Sequence, residues 1–548
     1  MGMSDLMIDQ NARFDAIVVG AGFAGLYTLH RFRQMGLSVR IYEMGDDVGG
    51  TWYWNRYPGA RCDAESLAYS FSFSPELEQE WQWSERYAPQ PEILKYAIHV
   101  SERFDLRRDI RFNRKVDSAR FDDGTGEWHV STAAGDSAHA PMLIMATGCL
   151  SKPMVPKIEG IDSFGGKRYQ ASMWPHTPVT FHGERVGIIG TGSSAVQAIP
   201  VIASTAQHLT VFQRTPNFSV PAVNGVLDPE FVSAFKQHYR EHRDFHKRGL
   251  SSGFGDLEIV PNERIPLALT AAGLSDEQLD AICESYWQTG GARFMGAVAD
   301  SLMNQATNDR MAQFVHRKIR QIVEDPVTAD LLCPTSHPLG TKRICVDIGY
   351  YETYNQPHVR LIDINKQPIL RVTPTGVQLT DELVTLDTLV LATGFDAMTG
   401  ALKDIDIRGR AGQSLRDKWE HGPQTYLGLL VAGYPNLFMI TGPGSPSVLS
   451  NMLVSIEQHV DFICDCLDYM QKHGHTRVDT SLEKEEEWGR HVNDVANATL
   501  FPKAGSWYMG ANVPGKPRMF MPYAGGVGGY REICDGVARD GYRGFQFS

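Results

Sequence analysis

Two short glycine loops constrain this chain more than any other feature of it. Phe14 to Val19 is an apolar, β-branched run that ends in Gly20-Ala21-Gly22-Phe23-Ala24-Gly25. Leu26 to Met35 then carries helical spacing, and Leu37 to Tyr42 reads as a second strand. Together they make a β-α-β unit of about 30 residues. A second unit opens at Val186 to Ile189 and passes through Gly190-Thr191-Gly192-Ser193-Ser194-Ala195. An apolar helix to Ala206 and the strand Leu209 to Phe212 complete it. A glycine loop between strand and helix lets backbone N–H groups approach a pyrophosphate, where the helix dipole favours negative charge. One such loop is weak evidence, because glycine-rich turns are common. Two, each after a strand and before a helix, predict an α/β fold with two Rossmann-like dinucleotide-binding domains.

The end of the next strand assigns a nucleotide to each loop. Glu43 follows the first unit, where a carboxylate accepts hydrogen bonds from a ribose diol and repels a 2′-phosphate. The comparable stretch of the second unit is Gln213-Arg214-Thr215, with no acid. Arg214 can pair with a 2′-phosphate and Thr215 can donate another hydrogen bond. The second site, at Gly190, Gly192, Ser193 and Ala195, is therefore expected to take NADPH. The first, at Gly20, Gly22, Gly25 and Glu43, is left for FAD.

Two similar segments, Leu143 to Gly148 and Leu389 to Gly394, are buried-type strands ending in Ala-Thr-Gly. In two-dinucleotide flavoproteins such segments mark where the chain leaves and re-enters the FAD domain. The expected division is 1–150 for the first part of the FAD domain, 151–390 for the NADP domain, and 391–548 for the return. Within the second, Phe231 to Leu250, Asp276 to Gln288 and Phe294 to Val323 read as helical and charged. They suggest a helical insertion at about 224–333. The tail from Trp507 onward is rich in Gly, Pro and aromatics, and reads as an ordered covering loop.

The formal net charge of −12, with no long Lys/Arg block, argues against nucleic acid or an anionic membrane as the main partner. No apolar run approaches the roughly 18 residues of a membrane span. Met1 to Arg13 lacks the layout of a secretory signal, and Leu6 stands where a myristoylation pattern wants Ser or Thr. Eight scattered cysteines, with no redox or metal spacing, suit a reducing cytoplasmic setting and no metal site.

Gly49-Gly50-Thr51-Trp52 runs into Tyr57-Pro58-Gly59 and on to Asp63; Phe164-Gly165-Gly166, Gln170 and Trp174-Pro175 come later. With the two glycine loops, these closely resemble the type I Baeyer–Villiger monooxygenases over nearly the whole chain, as do Gly340-Thr341-Lys342-Arg343 and Ser506-Trp507-Tyr508. The likeness looks nearest to phenylacetone and steroid monooxygenases. It implies oxygen insertion beside a ketone carbonyl, from NADPH and O2 through a C4a-peroxyflavin, giving an ester or lactone. By motif position it implies Arg343 as the residue that keeps the peroxide anion deprotonated, oriented by Asp63. The resemblance also implies Lys342 beside Arg214 and Thr215 on the 2′-phosphate, Gly50 and Trp52 in the flavin element, and Trp507 as the lid Trp that contacts the nicotinamide. Ser447, Val448 and Leu449 would shape the substrate pocket. One position departs from the family: Gln170 stands where its fingerprint has His. A Gln keeps a donor and an acceptor but cannot gain a proton near neutral pH, which puts the pH response of the hinge and the coupling of the cofactors in doubt.

Three other readings share the frame. A flavin N- or S-oxygenase would use the same cofactors but often lacks an Arg343–Asp63 pair. A disulfide reductase needs two cysteines about five positions apart beside the flavin, and only Cys62 lies near. A non-catalytic NADPH-sensing flavoprotein would have no use for Arg343. The expected partners are a small ketone and O2, on a monomer or weak homo-oligomer.

Overall fold

Strand Ala16–Val19 (β1) is the middle of a five-stranded parallel sheet in the computed structural model, which describes residues 8–248 and 269–548. Met1 to Met7 and the expected end of a helix at Leu250 lie outside the described residues. From β1 the chain turns through the first glycine loop into helix Phe23–Gln34 (α1) and returns as Val39–Tyr42 (β2) beside it. Ile110–Arg111 (β3) extends that side, while Met142–Met145 (β4) pairs on the other. All four residues of β1 are buried, as a strand covered on both faces requires.

The second sheet repeats the plan. Lys167–Gln170 (β5) forms its edge, and Arg185–Ile189 (β6) is its middle. The second glycine loop, helix Ser193–Ala203 (α2) and His208–Gln213 (β7) follow in turn. Val359–Asp363 (β8) and Thr388–Leu391 (β9) complete it, in the order β8-β7-β6-β9-β5. In each sheet the glycine-loop strand has neighbours added on opposite sides, so a crevice opens where the strand order reverses. The two Ala-Thr-Gly segments do matching work: Ala146 N–H donates to Val19 O at 3.0 Å, and Ala392 N–H to Ile189 O at 2.9 Å. The chain re-enters the first sheet at Leu437–Met439 (β10), next to β4. Helix Met452–His473, long and largely buried, then packs along α1.

Between β7 and β8 lies a group of helices: Pro229–Gln237 (α3), Tyr239–Lys247 (α4), Asp276–Thr289 (α5), Gln305–Ile322 (α6) and Pro326–Leu332 (α7). The single helix expected from Phe231 breaks at His238, whose φ of −114° ends α3. The break turns successive side chains onto one neighbour. Lys236 Nζ donates to Gln79 O and Trp81 O, and Tyr239 Oη donates to Leu67 O. Arg243 pairs with Glu78. The helix expected from Phe294 starts instead at Gln305, because Asn304 accepts from the N–H groups of Ala306 and Thr307 and caps it there. Ala292–Gly296 is a separate turn.

Candidate functional site

Neither glycine-loop helix carries its own cap. α1 follows Gly22 and α2 follows Gly192, with no side-chain acceptor and no acid in either first turn. Other helices here are capped by Asp228, Ser275, Asn304 or Ser481. The first N–H groups of α1 and α2 are thus left for an anion. Around the first loop the backbone is brought close: a Cβ on Gly50 would stand 2.9 Å from Gly22 Cα, so the Gly49-Gly50 turn packs directly on the loop. At Gly192 a Cβ would meet nothing within 4 Å, and the loop faces open space. Gly20 and Gly190 end the two central strands, and Gly25 and Ala195 pack each helix back against them. Glu43 is buried and accepts from Ala21 N–H and Gly45 N–H, both at 2.7 Å. Burial pushes its carboxyl up from the ordinary range, against those backbone bonds. These features fit the phosphates and ribose of two dinucleotides.

The second loop's far side is cationic. Thr191 Oγ1 donates to Thr215 O at 2.8 Å and fixes the segment that carries Arg214 and Thr215. Lys342 stands close enough to Arg214 that, after burial, the Arg214 charge lowers its ammonium pKa. Neither cation has a carboxylate partner among the described residues. Two converging positive groups without an acid suit a phosphate monoester, and the pair fits a 2′-phosphate.

Arg343 follows directly, and it turns the other way. Its Nε and Nη2 donate to the two oxygens of Asp63 at 2.6 and 2.7 Å, a fork on a carboxylate. Nη1 donates to Val448 O at 2.6 Å. The two side chains are 22% and 23% exposed, so the pair lines a surface rather than filling a core. Burial opposes both charges. The guanidinium nevertheless holds the Asp63 carboxyl below its ordinary range, and Asp63 holds Arg343 charged. Tyr508 lies close to the same guanidinium, and burial pushes its hydroxyl up to about 12.

The Tyr57-Pro58-Gly59 element works between the two sheets. Tyr57 Oη donates to Gln197 Oε1 at 2.9 Å, and Gln197 Nε2 donates to Arg61 O at 3.1 Å. Gly59, at φ 78°, lies so close that a Cβ would collide with the Gln197 carbonyl. Gln197 is the only polar residue of α2 beyond its first turn, and the element docks on it. Gln170 ends β5 beside Thr393 of the second Ala-Thr-Gly segment. Its Nε2 donates to Ser172 Oγ at 3.2 Å and weakly to Thr393 Oγ1, while its buried Oε1 has no partner among the described residues.

The two tryptophans differ. Trp52 is buried and its indole N–H is committed to Tyr69 Oη at 3.1 Å. Trp507 lies in a half-buried turn, its ring 4.3 Å from that of Tyr508, and its N–H meets no acceptor among the described residues. Ser447, Val448 and Leu449 form one buried turn. Around it gather Ala397, Met398, Phe501, Phe520 and Met521. The eight cysteines are free buried thiols, and burial pushes the Cys62 thiol up. No thiol pair stands ready for disulfide exchange. Sequence reasoning gave no role to Tyr508, although it adjoins Trp507, or to Gln197, whose signal is its isolation on an apolar helix.

A family model described as pyridine nucleotide-disulphide oxidoreductase matches residues 17–249. A protein of Pseudooceanicola batsensis named Baeyer-Villiger monooxygenase is 42% identical, over 97% of this chain and 96% of its own length. Phenazine N-monooxygenase PhzNO1 of Lysobacter antibioticus is 40% identical over 98% of each. Among solved structures, an oxidized steroid monooxygenase bound to NADP superposes with a TM-score of 0.91 at 47% identity, covering 98% of this chain and 99% of that one.

Proposed function

This chain belongs to the Baeyer–Villiger monooxygenase family, and from that premise we propose how its residues divide the reaction. It is a flavoprotein monooxygenase that uses FAD, NADPH and O2 to place one oxygen beside a ketone carbonyl. Ketone, O2, NADPH and a proton give ester or lactone, NADP+ and water. The flavin, when bound, takes hydride from NADPH and supplies the activated oxygen.

In this reading the loop at Gly20 to Gly25, with Glu43, Gly50 and Trp52, cradles FAD. The loop at Gly190 to Ala195, with Arg214, Thr215 and Lys342, holds NADPH, and Trp507 lies over its nicotinamide half. Arg343 presents its remaining N–H groups to negative charge developing on oxygen. It keeps its proton throughout, because Asp63 stabilises the cation. Asp63 fixes the plane of the fork. The observation that carries this reading is the two-bond Arg343–Asp63 pair, which joins the segment that follows the Tyr57-Pro58-Gly59 element to the one that carries Lys342.

The turn at Ser447 to Leu449 and its Met and Phe neighbours support an apolar ketone, alkyl, aryl or cyclic, over a charged one. Residues 1–150 and 391–548 serve FAD, and 151–390 serve NADPH. Eight free thiols and the demand for NADPH support a cytoplasmic setting. Among the described residues no helix is long and apolar enough to cross a membrane. One relative supports a second reading: a protein 40% identical over the whole length is named for N-oxygenation. NADPH consumption should be measured against panels of ketones and of aromatic N-heterocycles, with ester, N-oxide and hydrogen peroxide quantified separately. Ester from an apolar ketone supports the first reading, and N-oxide with no ester the second.

A further inference from the structure

Arg343 is held on three sides, and Asp63 supplies only two of them. The third bond runs from Nη1 to the backbone carbonyl of Val448. Where a backbone carbonyl points is set by the dihedrals around it. The residue before it, Ser447, sits at φ 45°, in the left-handed region that L-residues other than Gly, Asn and Asp seldom adopt. A second non-glycine residue in that region, Met398 at φ 67°, touches it: Ser447 Oγ donates to the Met398 sulfur at 3.8 Å. Met398 N–H in turn donates to Cys149 O at 2.7 Å.

Strain of this kind persists only where the surroundings over-determine it. They do so here. Leu449 N–H donates to Pro446 O at 2.9 Å and Ser450 N–H to Ser447 O at 3.0 Å. Gly444 N–H donates to Met521 O and Tyr523 N–H to Ser445 O, both at 2.7 Å. Met521 N–H reaches Tyr508 O at 2.9 Å. The C-terminal segment that braces the turn is thus the one that brings Tyr508 to Arg343.

We propose that Ser447 is a positioning residue whose left-handed backbone turns the Val448 carbonyl onto Arg343. A fork on one carboxylate still allows the pair to swing together about the Asp63 side-chain bonds, and the Val448 carbonyl removes that swing. This rests on the reading of Arg343 as the residue that handles developing charge. A pocket-shaping Ser447 would act through its side chain and favour some ketones over others. A positioning Ser447 acts through its backbone and affects every ketone alike.

The test compares Ser447→Val and Ser447→Thr, which disfavour positive φ, with Ser447→Gly and Ser447→Asn, which accept it. Three quantities are read: FAD content, amide exchange at Leu449 and Ser450 in the apoprotein, and the ratio of ester to hydrogen peroxide with one small and one large ketone. The β-branched variants should exchange faster and lose ester relative to peroxide on the order of tenfold with both ketones. The Gly and Asn variants should keep the parent's slow exchange at Leu449 and Ser450, and any change in their ester-to-peroxide ratio should differ between the small and the large ketone. If Ser447→Val does not hold its flavin, Ser447→Thr, which keeps the hydroxyl, is read instead. Parental ratios in the β-branched variants with the small ketone would overturn the proposal, as would Gly behaving like Val. Arg343→Ala run alongside separates the two claims: if it forms ester normally, the reading of Arg343 fails, whatever Ser447 does.

Discussion

Asp63 receives Arg343 through two near-equal hydrogen bonds, 2.6 and 2.7 Å, one to each carboxylate oxygen. The residues are far apart in sequence and come from loops beside different glycine motifs. Removing the carboxylate leaves a desolvated guanidinium without its counter-charge, which costs about 3 kcal/mol when such a pair is buried and less here because both side chains are part-exposed. Asp63→Ala should lower the melting temperature by several degrees and reduce ester formation more than Asp63→Asn does. Equal ester yields in both variants and parent would show that the pair is structural. The pH dependence has a definite sign. The Asp63 carboxyl titrates lower in the fold than unfolded, so its contribution is present above about pH 4 and lost as pH falls through the depressed value.

Lys342 and Arg214 converge without an acid among the described residues, so each should discriminate NADPH from NADH. Charge-assisted bonds to phosphate are worth about 1.5–3 kcal/mol each. Lys342→Ala and Arg214→Ala should therefore raise KM for NADPH by roughly 10- to 100-fold. KM for NADH should hardly move. Steady-state kinetics with both coenzymes checks this, and a parallel rise for NADH would count against a 2′-phosphate contact.

Gly59 lets the flavin-side element touch the Gln197 carbonyl, so Gly59→Val should force the two sheets apart. The expected outcome is a raised KM for NADPH, with FAD content retained. Flavin absorbance and NADPH titration separate this from general unfolding, which would lose both together.

Gln170 has a buried oxygen with no partner among the described residues and a side chain that does not titrate. Gln170→His places a titratable ring beside Thr393 of the second Ala-Thr-Gly segment. The parent's ratio of ester to peroxide should be flat between about pH 6 and 8, and the variant's should change across roughly pH 6.5, the ordinary His range. Product ratios at three pH values decide it.

Asp347 offers a stability test away from the chemistry. Burial pushes its carboxyl up to about 6, although Ser219 and the Tyr350 N–H bond it. Because the folded value is raised, its stabilising contribution is full below the unfolded pKa of about 4 and is lost as pH rises through about 6. Asp347→Asn removes that loss, and it should gain on the parent by up to about 3 kcal/mol between pH 4 and 7. Thermal melts at both pH values check the sign.

Much of the frame was legible because it is local. A β-branched run, a glycine loop and a helical period lie within one short segment, and both units appear with strand ends shifted by only a residue or two. Glu43 and the acid-free Gln213-Arg214-Thr215 are read the same way, from position along a strand. What depends on contact across the fold was not legible. Nothing near Gln197 in sequence announces Tyr57, and nothing near Val448 announces that its carbonyl meets Arg343. The break at His238 is likewise set by what α3 and α4 touch, not by their own pattern. Arg343 and Asp63 could be paired in advance only through a family likeness, since either alone reads as an ordinary half-exposed charge.

The central claim is that Arg343 serves oxygen transfer and not flavin reduction alone. Its most direct test is Arg343→Ala with bound FAD, an apolar ketone and NADPH, following flavin reduction anaerobically and then ester and hydrogen peroxide after O2 is admitted. The account predicts flavin reduction that persists, ester that falls below detection, and NADPH consumption matched by peroxide. Ester formed at the parental rate would contradict it.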